Sequence, residues 1–169
     1  MAKKPIRPLT AMVCDGDPVG QAASTKLLME AGFAVTEPAE NAAHALALLP
    51  HVEPSLLVMV QELIGLSGTE AMPHIAELEH PPEIVLLTTD TEVSDTARSL
   101  GAFGVVDRLD TTDFADVLSD VRYLLETGEQ RGVGERRRGE DRRTHQDWQK
   151  VTRERRVRDD RRDGDRRDD

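Results

Sequence analysis

One cysteine, one tryptophan, one tyrosine and three phenylalanines are spread over 169 residues. The lone Cys14 excludes an internal disulfide. It sits in an apolar run, where a thiol serves as a small buried side chain rather than a reactive group. No window approaches the roughly 18–20 consecutive apolar residues of a membrane-spanning helix. The basic start, Met1-Ala2-Lys3-Lys4-Pro5, is followed by Arg7, Pro8 and Asp15, which leave too short an apolar stretch for a signal peptide. A cytoplasmic protein without membrane contact is therefore expected. The five histidines (His44, His51, His74, His80 and His145) show no metal-ligand spacing and none pairs with a cysteine, so zinc is not expected.

Positive charge is scarce in most of the chain. Residues 1–130 hold 7 Lys/Arg against 21 Asp/Glu, whereas residues 131–169 hold 15 against 11. An acidic body repels phosphate and so resists non-specific nucleic-acid binding. The segment beyond 130 contains four aliphatic or aromatic residues, Val133, Trp148, Val151 and Val157, too few for a core. It reads as a disordered or marginally helical tail. Arginine pairs at 137–138, 142–143, 155–156, 161–162 and 166–167 recur there among acidic fillers. Three uses are open for it: a solvating polyampholyte, an arginine arm for nucleic acid or a nucleotide, and a docking segment anchored by Trp148 and Val151. Carboxylates beside nearly every pair compete with phosphate, so nucleic acid is not the favoured partner.

The body alternates apolar runs with helical periodicity. Leu9–Cys14, Phe33–Thr36, Leu56–Val60, Ile84–Thr88 and Phe103–Val106 read as strands, buried on both faces because their apolar character is continuous. Val19–Ala31, Asn41–Leu49, Ser67 to about Glu79, Thr91–Leu100 and Thr112–Glu126 read as helices. Pro18 suits a first helical turn. Gly32 and Pro50 stop the first two helices, and Ser67 with Glu70 has the spacing of a capping box. Pro73 falls inside that third helix and is expected to kink it or delay its start. Gly68 and Gly101 read as turn and helix-end residues. Five strands alternating with five helices predict an α/β fold with a parallel sheet covered on both faces.

The central stretch, Val58-Met59-Val60-Gln61-Glu62-Leu63-Ile64-Gly65-Leu66-Ser67-Gly68, resembles the phosphorylation loop of response-regulator receiver domains. The resemblance covers about residues 8–127, leaving an extension over 1–7 and a charged tail over 128–169. It implies a doubly wound, flavodoxin-like sheet of order 2-1-3-4-5. In that family an aspartate at the end of the third strand is phosphorylated. Mg²⁺ is held by that aspartate and by an acidic pair after the first strand, and a Thr/Ser and a Lys contact the phosphoryl group. Carried over by position, Val60 stands where the nucleophile should be and Ile64 where the usual proline is. Asp15-Gly16-Asp17-Pro18 resembles the acidic motif, with Gly16 on the direct metal ligand. Thr88 fits the hydroxyl position, Arg108 replaces the lysine, Leu109 the following proline, and Val105 stands at the aromatic switch position.

A valine cannot form an acyl phosphate. With Gly16 and Val60 lacking ligand oxygens, Asp15 alone is a poor Mg²⁺ site. A degenerate pocket of Asp15, Gly16, Asp17, Val60, Thr88 and Arg108 is expected, with Arg108 pairing with Asp15 or Asp17 where the ion would sit. Glu62, two residues past the acceptor position, reads as a solvated loop acid. The resemblance then implies a phosphorylation-independent, non-enzymatic interaction module of bacterial signalling. The face of the fourth helix, fifth strand and fifth helix, including Val105, Asp107 and Asp110, is the family's usual output and dimer surface. Partners are expected among signalling proteins, a histidine kinase, another regulator or a second copy. The rival readings are nucleic-acid or nucleotide binding through the tail, and a phosphorelay component using Asp15 or Asp17 as an unorthodox acid.

Overall fold

The structure is a computed structural model that describes residues 8–128. Five strands, β1 (Thr10–Cys14), β2 (Ala34–Val35), β3 (Leu56–Val60), β4 (Glu83–Thr88) and β5 (Gly104–Asp107), form one parallel sheet in the order β2-β1-β3-β4-β5. Helices α1 (Pro18–Glu30), α2 (Ala42–Val52), α3 (Gly68–Ala76), α4 (Val93–Ser99) and α5 (Thr111–Thr127) connect and follow them. The order is that of a flavodoxin-like doubly wound fold. Every strand runs the same way, so all five strand-to-helix loops lie at the carboxyl end of the sheet, where such folds place their sites.

The pleat sorts the strand residues into two cores. Met12, Cys14, Leu57, Met59 and Leu86 pack with Ala42, Ala45 and Leu49 of α2, with Met72 and Ile75 of α3 and with Ala97 of α4. Ala11, Val13, Val58, Val60, Val85, Leu87 and Val106 pack with Leu28 of α1 and with Phe114, Leu118 and Val121 of α5. The three central strands are apolar at nearly every position because both of their faces are covered.

The helix starts follow their caps. Asp17 accepts from the Val19 amide, with Pro18 at the first helical position. Asn41 accepts from His44 and opens α2. Ser67 and Glu70 exchange the reciprocal bonds of a capping box. Asp110 accepts from both Thr112 and Asp113 and opens α5. The helix ends depart further from the sequence reading. Pro50 does not close α2, which runs on to Val52 and ends at Glu53 with φ 45°. Pro50 faces solvent, while Leu49 and Val52 pack into the core. That burial offsets the one backbone bond the proline removes. Pro73 likewise sits inside α3, which starts at Gly68 and stops at Ala76, short of Glu79. The fourth helix is only seven residues and has no side-chain cap.

Candidate functional site

Polar side chains at or just past the ends of β1, β4 and β5 lie at the carboxyl end of the sheet. Asp15 follows β1 directly and is buried. One of its carboxylate oxygens accepts from the Asp17 amide at 2.9 Å, and the other accepts from Arg108 Nη2 at 2.9 Å. The same Nη2 lies 3.5 Å from Asp17 Oδ2. Arg108 follows β5, so its side chain reaches across the sheet end to the loop after β1. A buried carboxylate is tolerated only when it is paired and hydrogen-bonded, and Asp15 meets both conditions.

Gly20 explains how the guanidinium comes so close to α1. A Cβ built at Gly20 would overlap Asp15 Oδ2 and Arg108 Nη2. Any other residue in that helical turn would fill the seat of the ion pair, so the glycine is there for close approach rather than for a turn. Gln21, one residue on, donates from its side-chain amide to the Asp15 carbonyl. The first turn of α1 thus packs against Asp15.

Thr88 ends β4 and is buried. Its hydroxyl donates to Glu62 Oε1 at 3.2 Å and accepts from the Asp90 amide at 3.0 Å. Glu62, read from the sequence as a solvated loop acid, is exposed but makes this specific contact to the strand beside its own. Val60 is 2% exposed and packs in the core shared with α1 and α5. Gln61 follows it and clamps α3: its side chain accepts from the Thr69 amide and donates to the Thr69 hydroxyl. Gly68 allows that clamp, since a Cβ there would meet Leu86, the Val60 carbonyl and Gln61.

Asp15, Asp17 and Arg108 are therefore brought together, with Gly16 as the link between the two acids. Thr88 is joined to Glu62 instead. Val105 is mostly buried in the core on the α3–α4 side. Asp107 and Asp110 are exposed, and each holds the β5–α5 loop by accepting backbone amides, Leu109 for Asp107 and Thr112 with Asp113 for Asp110. Trp148, Val151 and the arginine pairs lie outside the described residues. Two contacts were missed from the sequence. Gly20 carried a signal, a glycine inside an otherwise well-formed helix. The Glu62–Thr88 contact carried none, because it joins a loop to a strand end 26 residues away.

Neighbouring Cys14 has its thiol pushed up to about 12, first by burial and then by the Asp15 charge. Glu70 is held below the usual carboxylate range by the backbone and hydroxyl donors of Ser67.

A family model described as the response regulator receiver domain matches residues 11–112. The chain belongs to that family. It is 26% identical over 113 residues to the positive alginate biosynthesis regulatory protein of Pseudomonas aeruginosa. That match takes in 65% of this chain and 46% of the relative, so the chain spans less than half of the relative's length. Among solved structures, a LuxR-family two-component response regulator from Aurantimonas superposes with a TM-score of 0.64 at 25% identity, covering 73% of this chain and 89% of that one. The response regulatory domain of protein mrkE from Klebsiella pneumoniae gives 0.65 at 17% identity, covering 69% and 98%. The chemotaxis response regulator CheY4 of Vibrio cholerae gives 0.59 at 18%, covering 71% and 98%. These likenesses establish the receiver fold.

Receiver domains of this family imply a Mg²⁺ ion, and the residues here do not fit one. Of the three positions that would supply oxygens, Gly16 has no side chain and Val60 is an aliphatic residue in the core. The remaining carboxylate, Asp15, has a guanidinium on one oxygen and a backbone amide on the other. A hard divalent cation needs several oxygen ligands and retains bound water. Among the described residues, no group of three or more His, Cys, Asp or Glu side chains is placed to share a metal. No helix among them is long and apolar enough to cross a membrane.

Proposed function

We propose that this receiver domain works without phosphorylation, as a protein-interaction module of two-component signalling rather than as a phosphoryl acceptor. The observation that carries the reading is the Arg108 guanidinium on the carboxylates of Asp15 and Asp17, with Val60 turned into the core at the acceptor position. An acceptor needs a free carboxylate nucleophile and a metal to neutralise the incoming phosphoryl oxygens. Here the positive charge is built in and the nucleophile position is apolar. The pocket of Asp15, Gly16, Asp17, Val60, Thr88 and Arg108 is then a structural tie between α1 and the β5–α5 loop. Its work is to hold surface elements in a fixed relation for a partner, a kinase or another regulator of the same pathway, in the cytoplasm.

The test is incubation of the full chain with Mg²⁺ and acetyl phosphate, followed by intact mass measurement. The reading expects no gain of a phosphoryl group under conditions that label an ordinary receiver run alongside. Labelling that disappears in Asp15→Asn or Asp17→Asn would instead make the chain a phosphorelay component with an unorthodox acceptor.

A further inference from the structure

Helices α1 and α5 cover the same face of the sheet, and a cavity of about 300 Å³ opens between them. Leu27, Glu30 and Ala31 line it from the end of α1, and Ala115, Ser119 and Arg122 from α5. Each trio recurs at three- and four-residue spacing and so shares one face of its helix. The space exists because three of the six side chains, Ala31, Ala115 and Ser119, are small. The cavity is well away from the degenerate pocket. α1 starts at the Asp15–Arg108 pair and is 13 residues, or about 20 Å, long, and the cavity lies at its other end.

Arg122 is fixed in place by the fold. Its Nη1 donates to the Ala31 carbonyl at 2.7 Å, satisfying an acceptor that the end of α1 leaves open, and its Nε donates to Glu126 at 2.8 Å. Gly32, with φ 88°, makes room for it, since a Cβ there would overlap Nη1. Nη2 has no partner among the described residues. On the facing helix Glu30 carries the opposite charge, 4.0 Å from Lys26.

This arrangement selects by charge pattern. Arg122 is balanced by Glu126 and Glu30 by Lys26, so a simple anion or a simple cation meets as much repulsion as attraction. A small molecule that carries both charges can place each against its opposite. Leu27, Ala31 and Ala115 supply apolar wall for its body, and the volume is at the lower end of the roughly 300–1,000 Å³ of small-molecule sites.

We propose that this cavity binds a free aliphatic α-amino acid. The carboxylate would pair with Arg122 Nη2 and the Ser119 hydroxyl, the ammonium group with Glu30, and the side chain would lie against Leu27, Ala31 and Ala115. The proposal goes beyond the protein-interaction reading and does not depend on it: it adds a small-molecule input at a second place on the domain.

The test is amide NMR of the full chain titrated with three probes, each to about 10 mM, ten times a millimolar Kd. They are L-leucine, 4-methylpentanoate, which lacks the ammonium group, and 3-methylbutylamine, which lacks the carboxylate. Leucine should give saturable shifts at Leu27, Ala31, Ala115 and Ser119. Its affinity should change less than about twofold between about 0.05 and 0.3 M salt, because the ligand has no net charge. Each analogue should bind at least about tenfold more weakly, having lost one charge-assisted contact. Arg122 also ties down the end of α1, so the variants leave it alone. Glu30→Gln, an exposed change, should weaken leucine at least about tenfold without weakening 4-methylpentanoate. Ala115→Leu, which fills the cavity from an exposed position, should abolish leucine binding. No saturable shifts with leucine, equal affinity for 4-methylpentanoate, or leucine binding unchanged in Glu30→Gln or Ala115→Leu overturns the proposal. Labelling by acetyl phosphate reports separately on the phosphorylation-independent reading, so the two fail by different results.

Discussion

Replacing Arg108 by methionine keeps an aliphatic stem and removes the charge, leaving Asp15 buried with a single donor, the Asp17 amide. Breaking a fully buried pair costs about 3–5 kcal/mol. Two features reduce that here. The Arg108 side chain is 29% exposed, so water already screens part of the interaction. Asp17, its second partner, is half exposed at 3.5 Å and adds little. The expected loss is about 2 kcal/mol, near the worth of one charge-assisted hydrogen bond to a desolvated carboxylate. For a domain of this size that corresponds to a fall in Tm of roughly 8 °C. Urea unfolding of the native chain, Arg108→Met, Asp15→Asn and the double variant closes a cycle. The coupling between the two positions should be about 1.5 kcal/mol or more. A loss below about 0.5 kcal/mol, or strictly additive effects, would refute the claim that Asp15 depends on Arg108.

Gly20→Ala should gain helix propensity of about 1 kcal/mol, yet lower stability overall by displacing the guanidinium; a net rise in urea midpoint would contradict the close approach. Cys14 favours its protonated form in the fold, with its thiol raised to about 12 from 9.0. Its contribution is therefore complete below about pH 9 and is lost as pH rises toward 12; a thiol reagent should react at pH 8 only at the rate of unfolding. Ser67→Ala should cost about 1 kcal/mol at neutral pH. Glu70 is depressed in the fold, so its share of that cap is present above its ordinary range and fades as pH falls through the lowered value; a deficit that does not narrow in acid would contradict the capping box.

What could be read in advance divides along a physical line. The strands were legible because burial on both faces makes them continuous apolar runs, and Leu56–Val60 and the carboxyl end of β4 fell where the composition put them. The cap at Ser67 was legible because its chemistry is local. Pro50 was read as a stop and Pro73 as a kink or a delayed start, but helix ends are decided by packing, and Val52 and Ile75 had core positions to fill. The short α4 has no cap to mark its start. The strand order and the pairing of Asp15 with Arg108, 93 residues away, were legible only through family resemblance. The Glu62–Thr88 contact was not legible at all, since nothing near Glu62 in the chain distinguishes it from the other loop acids.

The central claim is that the pocket is closed by its own arginine and has no use for a metal or a phosphoryl group. Amide NMR of the labelled chain, titrated with Mg²⁺ and then with beryllofluoride, tests this most directly. The account predicts no saturable shifts at Asp15, Gly16, Asp17, Val60, Thr88 or Arg108. Saturable shifts clustered on Asp15 and Thr88 would show a working pocket and contradict it.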